Sequence, residues 1–150
     1  MSENQRCQCS VKNSSSHDLV NVEYGKEWGK WATPDESPSA PPSIIKAGET
    51  GWWMLTGRQG SASGAEGWVK YQVGDVGVIQ FKFDNPWGAG DNKASCDNSS
   101  AVLYQQYAVT KKPDVGKTGA NTDPSNYGKE GQVPLGGSPL SVLWVVSNQS

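Results

Sequence analysis

The stretch Gly67-Trp-Val-Lys-Tyr-Gln-Val73, Gly74-Asp75, Val76-Gly-Val-Ile-Gln-Phe-Lys-Phe83 decides the fold class of this chain. Two runs rich in β-branched and aromatic residues flank Gly74-Asp75, a dipeptide that is typical of tight turns. This pattern predicts a β-hairpin.

The second run of the hairpin has two different faces. Ile79, Phe81 and Phe83 fall on one face of an extended strand, whereas Gln80 and Lys82 fall on the other. Alternation with a period of two is typical of a sheet that packs one face against a core.

The rest of the chain continues the β pattern. Further runs with strand character are Cys7–Val11, Leu19–Tyr24, Ile44–Ile45, Trp52–Thr56, Ala101–Thr110 and Ser138–Val146. We expect about eight strands, with the first two runs paired as a hairpin, and no segment has helical periodicity. The pattern predicts an all-β protein, a two-sheet antiparallel β-sandwich that forms one domain over residues 1–150.

Two segments interrupt this pattern. Thr33–Ser43 contains four prolines, which cannot donate to a sheet, so it is predicted to be a surface loop or a bare edge. Lys111–Pro134 is polar and is predicted to be a long loop with at most a short strand.

In the run Trp52–Thr56, neighbouring side chains face opposite ways, so one of Trp52 and Trp53 belongs in the core.

Composition excludes some classes of function. The net charge is −2 over 150 residues, which gives no general attraction to nucleic acid or to anionic lipid. The N-terminus lacks the apolar stretch of a secretory signal, and no apolar run is long enough for a membrane-spanning helix. The chain has three cysteines, Cys7, Cys9 and Cys96, and an odd number argues against a disulfide scaffold. We therefore expect reduced, packed thiols, and the alternative is a single bridge to Cys96.

Catalytic and metal sites find little support. His17 is the only histidine and lies in a predicted turn, which leaves no convincing hydrolytic triad. Glu66 and Asp84 bracket the central hairpin, and paired carboxylates would permit glycoside chemistry. We expect no enzyme activity, no cofactor and no metal, although a calcium site would draw on Asp84, Asp91, Asn92 and Asp97.

Seven tryptophans remain to be explained, and three of them lie in loop-like stretches. Trp28 and Trp31 occupy one such stretch, and Trp87 occupies the turn after the hairpin. An indole ring suits the boundary between water and an apolar phase, including a membrane interface. The alternatives are that these rings cap the open ends of the sandwich or stack on sugars.

Three motifs, in order, resemble those of the aegerolysin family. They are Glu27-Trp-Gly-Lys30, Gly64-Ala-Glu-Gly67 leading into Trp68-Val-Lys-Tyr71, and Phe81-Lys-Phe-Asp-Asn-Pro-Trp-Gly88. The last two are especially similar to the small component of bacterial binary insecticidal toxins. The resemblance covers roughly residues 7 to 110, and the final strand also fits.

The resemblance implies a β-sandwich that recognises lipid, often a sphingolipid or ceramide-phosphate head group. It assigns lipid contact to Trp28 and Trp87, with Lys30 in the same motif as Trp28, and proximity adds Trp31. Glu66, Asp84, Asn85 and Pro86 are the other motif residues that we single out.

Together these observations predict a membrane-interacting toxin component. It would recognise a target-cell lipid or a gut receptor, self-associate, and act with a larger partner protein in forming an insecticidal pore. We expect it to be made in a bacterial cytoplasm and to act outside the cell on host membranes. The alternatives are a soluble glycan-binding lectin and a small glycosidase or esterase that uses Glu66 and Asp84.

Overall fold

The computed structural model describes residues 5–57, 64–88, 90–98, 101–110 and 121–149. These residues form nine β-strands and one 3-10 helix, Pro124–Asn126. The strands are β1 (Arg6–Asn13), β2 (Leu19–Trp28), β3 (Ile44–Ile45), β4 (Thr50–Thr56), β5 (Ala65–Val73), β6 (Gly77–Asn85), β7 (Lys93–Asn98), β8 (Leu103–Thr110) and β9 (Leu140–Ser147). Within the described ranges, no helix combines the length and apolar character needed to cross a membrane.

The strands form two sheets that pack face to face. The four-stranded sheet has the order β4-β1-β9-β8, and the five-stranded sheet has the order β3-β2-β5-β6-β7. One cluster of buried apolar side chains draws on both sheets, as expected when two sheets bury their inner faces against each other. The predicted all-β sandwich is confirmed.

The predicted central hairpin is present as β5 and β6. The two strands pair antiparallel from Ala65 opposite Asn85 to Val73 opposite Gly77. Ile79, Phe81 and Phe83 are buried, whereas their polar neighbours along β6 are exposed or half-buried. The period-two pattern therefore identified the core face of this strand correctly.

The predicted hairpin between the first two runs is wrong. β1 lies between β4 and β9 in one sheet, whereas β2 lies between β3 and β5 in the other. Both faces of β1 are covered: its polar residues Gln8 and Ser10 are buried, and the Gln8 amide donates to Ser141 Oγ at 2.8 Å. The backbone of β1 pairs with β4 along one edge and with β9 along the other, so the chain crosses to the other sheet before β2 begins.

Two further features differ from the sequence prediction. β1 and β9 pair parallel, so the sandwich is not wholly antiparallel. β7 was not predicted, because its run Lys93–Asn98 is short and mostly polar. The long loop prediction holds over residues 121–134, which contain only the 3-10 helix; residues 111–120 lie outside the described ranges.

Aromatic rings fill the centre of the core. Trp53 stacks on Trp144 with ring centroids 6.1 Å apart, and Phe81 lies 4.7 Å from Trp144. Trp53 is fully buried whereas Trp52 is half-buried, so the predicted division between these neighbours is confirmed.

The three cysteines are free and buried, as predicted. Burial raises the pKa of Cys96 to about 12. It also raises the pKa of both Cys7 and Cys9 well above the ordinary thiol value. All three groups therefore remain neutral, packed thiols at physiological pH.

The proline-rich segment runs along the outer edge of β4. The Met54 N–H donates to the Ser39 carbonyl at 3.2 Å, and Ala32 and Pro38 form an isolated bridge within the segment. Because an open strand edge invites pairing with other chains, this cover protects the four-stranded sheet.

Candidate functional site

Several strands begin or end at one end of the sandwich. β2, β4 and β6 end there at Trp28, Thr56 and Asn85, and β1 and β9 begin there. This arrangement brings two separate loop regions, after β2 and after β6, to the same end. We call it the tryptophan end, defined by Trp28, Trp31 and Trp87.

Trp28 and Trp87 are the exposed rings of this end. Trp28 is 59% exposed and closes β2 just after a register shift against β5. Trp87 is 51% exposed and lies in the turn after β6, where Gly88 adopts a φ of 79° that favours glycine. An indole ring that is half in water retains a large apolar area for a binding partner.

Trp31 has a different environment. Its ring is half-buried against the core, 5.3 Å from Tyr24 and 6.1 Å from Phe83 in edge-to-face geometry. These contacts give Trp31 a packing role in capping the core, and lipid contact by this ring stays a prediction.

Lys30 lies in the loop that holds Trp31. Its backbone exchanges two hydrogen bonds with Thr56, at 2.8 and 2.9 Å, which tie the loop to the end of β4. Its ammonium group forms an exposed ion pair with Glu36. A cleft of about 400 Å³ opens beside this pair, lined in part by Lys26, Trp31 and Gly57.

Four residues form a row, which we call the charged row, across the outer face of the five-stranded sheet. Trp28 lies opposite Glu66, Glu66 lies opposite Asp84, and Asp84 lies opposite Lys93. Directly opposed residues of antiparallel strands project from the same face with Cβ atoms about 5 Å apart. The row therefore places two carboxyl groups and an ammonium group side by side, and the Trp28 backbone lies next to them at the bulge that ends β2.

One carboxyl group of this row, that of Asp84, has a shifted pKa. Burial and then the Glu66 charge raise the pKa of Asp84 to about 6, and Lys93 acts in the opposite direction. Two neighbouring carboxylates with a single adjacent lysine leave a local excess of negative charge when both are ionised.

Asn85 is buried and joins distant parts of the chain. Its side-chain oxygen accepts from the Arg6 N–H and from the Ser138 hydroxyl, each at 2.9 Å. Its amide nitrogen donates to Asn92 Oδ1 at 2.7 Å and to the Gly137 carbonyl at 2.9 Å. This motif residue is therefore structural.

Pro86 also has a structural role. Its carbonyl accepts a hydrogen bond from the Gln5 side chain at 2.8 Å. A Cβ built on Gly64 would lie 2.8 to 2.9 Å from backbone atoms of residues 85, 86 and 87. Close approach of these two segments holds the turn that presents Trp87.

The calcium alternative does not fit the strand register. Asp84 lies opposite Lys93, whereas Asp97 lies opposite Gln80, four positions along β6. At about 3.4 Å per residue, this spacing separates the two carboxylates too far for one ion. Among the described residues, no group of three histidine, cysteine or acidic side chains is arranged to hold a metal.

Sequence reasoning missed Lys93 because it missed β7, and it considered Asn92 only as a calcium ligand. The alternation of Ala94 and Cys96 with polar neighbours was the available signal, but the preceding turn residues obscured it. Lys93 completes the charged row, and the Asn92 amide donates to the Gly137 carbonyl at 3.1 Å.

Solved structures of three proteins share the fold. RahU, whose crystal structure is a complex with a Tris molecule, is 17% identical with a TM-score of 0.65, covering 97% of this chain and 96% of its own. IP-1A from Alcaligenes faecalis is 17% identical with a TM-score of 0.63, at 97% and 92% coverage. Nakanori, described as a lipid binding protein, is 12% identical with a TM-score of 0.63, at 95% and 71% coverage.

Sequence comparison defines the family. No curated protein sequence matches the chain. The sequence model of the family described as Aegerolysin matches residues 4–123, which include every residue of the tryptophan end and of the charged row. The chain therefore belongs to the aegerolysin family.

Proposed function

We propose that this protein docks through its tryptophan end onto the membrane of a target cell. The observation that carries the proposal is the exposure of Trp28 and Trp87 at one end of the sandwich, beside the carboxylates of Glu66 and Asp84. Membership of the aegerolysin family supports this function, as does the description of the similarly folded Nakanori as a lipid binding protein.

The charged row indicates the chemistry of the head group. An ammonium group placed against Glu66 and Asp84 would meet two carboxylates in a cleft that Trp68 also lines, which favours a cation. Lys93 on the far side of Asp84 would be available to a phosphate. A zwitterionic head group that carries both charges, such as that of a phosphosphingolipid, matches this arrangement.

The available apolar area predicts weak docking by a single copy. Burial of about 100 Å² on each of two rings would contribute about 5 kcal/mol before the entropy of immobilisation is subtracted. We therefore propose that a specific head-group contact, self-association or a larger partner protein completes the attachment, and that the partner acts with this chain in a two-component toxin that forms pores. On this proposal the pair acts outside the producing bacterium on insect gut membranes, with no catalysis and no cofactor.

Vesicle co-sedimentation tests the docking step. Vesicles contain equal parts of sphingomyelin, phosphatidylcholine and cholesterol, and the variant is Trp28→Ala combined with Trp87→Ala. We expect loss of binding with an unchanged melting temperature. Tyr104→Ala is the matched control, because this exposed ring lies near the start of β8, at the opposite end of the sandwich. Equal binding by the double variant and the wild type would overturn the site.

A leakage assay tests the partner. Vesicles prepared from insect gut membranes are loaded with a dye and treated with this protein, with proteins encoded beside it, and with both. We expect leakage only with both components. Leakage caused by this protein alone would contradict the need for a larger partner.

One observation favours glycan binding as a second candidate. The Trp28 ring beside Glu66 and Asp84 also combines a stacking surface with acceptors for sugar hydroxyl groups. A glycan array compared with a lipid array separates the two functions. A glycosidase would use the same pair of carboxylates. An enzyme would therefore be favoured if the wild type hydrolysed glycosides and Glu66→Gln did not.

A further inference from the structure

Leu135 is the most exposed large apolar side chain of the described residues. It is 72% exposed, compared with 59% for Trp28 and 51% for Trp87. It lies in the segment that leads into β9, beyond residue 123 where the match to the family ends. A single exposed leucine is common on protein surfaces, so its position decides whether it has a role.

Buried amide groups hold this segment at the tryptophan end. The Leu135 carbonyl accepts from the Asn92 N–H at 3.2 Å. Two residues later, the Gly137 carbonyl accepts from both the Asn85 and Asn92 side chains, at 2.9 and 3.1 Å. Because Asn85 also begins the turn that carries Trp87, one hydrogen-bond network holds both segments in place.

The three exposed apolar side chains come from different parts of the sandwich. Trp28 ends β2 and Trp87 follows β6 of the five-stranded sheet, whereas Leu135 precedes β9 of the four-stranded sheet. The three contacts therefore span both layers of the end instead of lying along one sheet. Two contacts on one sheet leave the molecule free to tilt about the line between them, and a third contact on the other sheet removes that freedom.

We propose that Leu135 is a third membrane anchor, which inserts beside Trp28 and Trp87 and sets the tilt of the sandwich on the bilayer. This role rests on the proposed docking through the tryptophan end. Leucine has no polar atom to satisfy, so its side chain can enter the acyl boundary while the tryptophan rings remain at head-group level.

A fluorescent probe at position 135 tests the insertion directly. Leu135→Cys is labelled with an environment-sensitive fluorophore, and the buried native thiols leave the new cysteine as the reactive one. Val76→Cys is the matched control, since Val76 is also exposed but lies in the β5–β6 turn, at the opposite end of the five-stranded sheet. With the sphingomyelin vesicles described above, we expect a blue shift at position 135 and none at position 76.

Vesicle affinity provides the second measurement. Leu135→Ala is expected to bind about tenfold more weakly, the change that corresponds to about 1.4 kcal/mol. Val76→Ala is expected to bind like the wild type. Suppose that the wild type sediments with vesicles, but the probe at position 135 stays in water and Leu135→Ala binds normally. The proposal that Leu135 is an anchor is then overturned, while docking through the tryptophan end stands. If the wild type does not sediment, docking itself is overturned and the anchor with it.

Discussion

Glu66 and Asp84 lie directly opposite each other on β5 and β6, and their carboxyl groups project from the same face of the five-stranded sheet. Like charges opposed across two strands destabilise a sheet. In the proposed docking mode, a cationic head group would relieve this repulsion.

This pair predicts an unusual dependence of stability on pH. Because the folded pKa of Asp84, about 6, is above the ordinary value of 3.8, the folded protein holds this proton more tightly than the unfolded chain. The resulting stability is complete below pH 3.8 and is lost as the pH rises through about 6. We expect Asp84→Asn to raise the free energy of unfolding at pH 7.5 by about 1 kcal/mol, allowing for solvent screening.

Urea unfolding at pH 5 and pH 7.5 measures this effect. Asp75→Asn, in the exposed turn between β5 and β6, is the control for removal of one surface charge. A gain in stability that is the same at both pH values would mean that Asp84 protonation is not responsible.

Docking is expected to weaken in mild acid. As the pH falls from 7.5 to 5, Asp84 takes up a proton and the charged row loses one of its two negative charges. An ammonium head group then binds less tightly. Co-sedimentation with sphingomyelin vesicles should fall over this range for the wild type, whereas Asp84→Asn should bind weakly with little pH dependence. Stronger binding at pH 5 would contradict the assignment of the ammonium to this row.

Gly64→Ala is expected to disturb the turn that presents Trp87. The new Cβ would lie within 2.9 Å of three backbone atoms of the opposing segment, and backbone cannot move aside as a side chain can. Overpacking of this kind lowers the free energy of unfolding by about 1 to 3 kcal/mol. Vesicle binding should fall as well. Gly136→Ala, where the new Cβ meets nothing within 4 Å, should leave the free energy of unfolding unchanged.

Asn85→Ala should destabilise the fold more than the same substitution at an exposed asparagine. The change removes the acceptor for the Arg6 N–H and for the Ser138 hydroxyl at a buried position. Because buried polar groups would lose their hydrogen-bond partners, we expect the free energy of unfolding to fall by about 3 kcal/mol. Asn126→Ala, at an exposed site, is the control. Hydrogen exchange at the Arg6 amide should accelerate only in Asn85→Ala, and unchanged exchange would argue against this role.

The cysteines provide a probe of global unfolding. All three are buried, so a thiol reagent should modify none of them rapidly in the folded protein and all three in concentrated urea. Rapid modification of one thiol without denaturant would indicate local opening around that residue.

Strand alternation predicted the fold where one face of a strand is buried and the other is solvated. β6 meets this condition, so its core residues were correctly identified. β1 does not, because Gln8 and Ser10 are buried although they are polar. The alternation of its residues does not show which sheet β1 joins, because distant segments of the chain cover its second face.

The candidate site was predictable only in part. Loop composition and the aegerolysin motifs identified Trp28 and Trp87, which the fold brings to one end. The predicted hairpin brought Glu66 and Asp84 near each other, but their direct opposition depends on a turn that also includes Val76. Lys93 and Leu135 depend on pairings of β7 and β9 that sequence patterns do not specify.

The position of β9 has a consequence for the order of events during synthesis. The last strand lies between β1 and β8 in the four-stranded sheet, and it pairs parallel with the first. While the ribosome still holds residues 140–147, β1 can pair only with β4, β8 has no partner in its sheet, and the aromatic stack around Trp144 is missing. We therefore expect the four-stranded sheet to close only after these residues have left the ribosome.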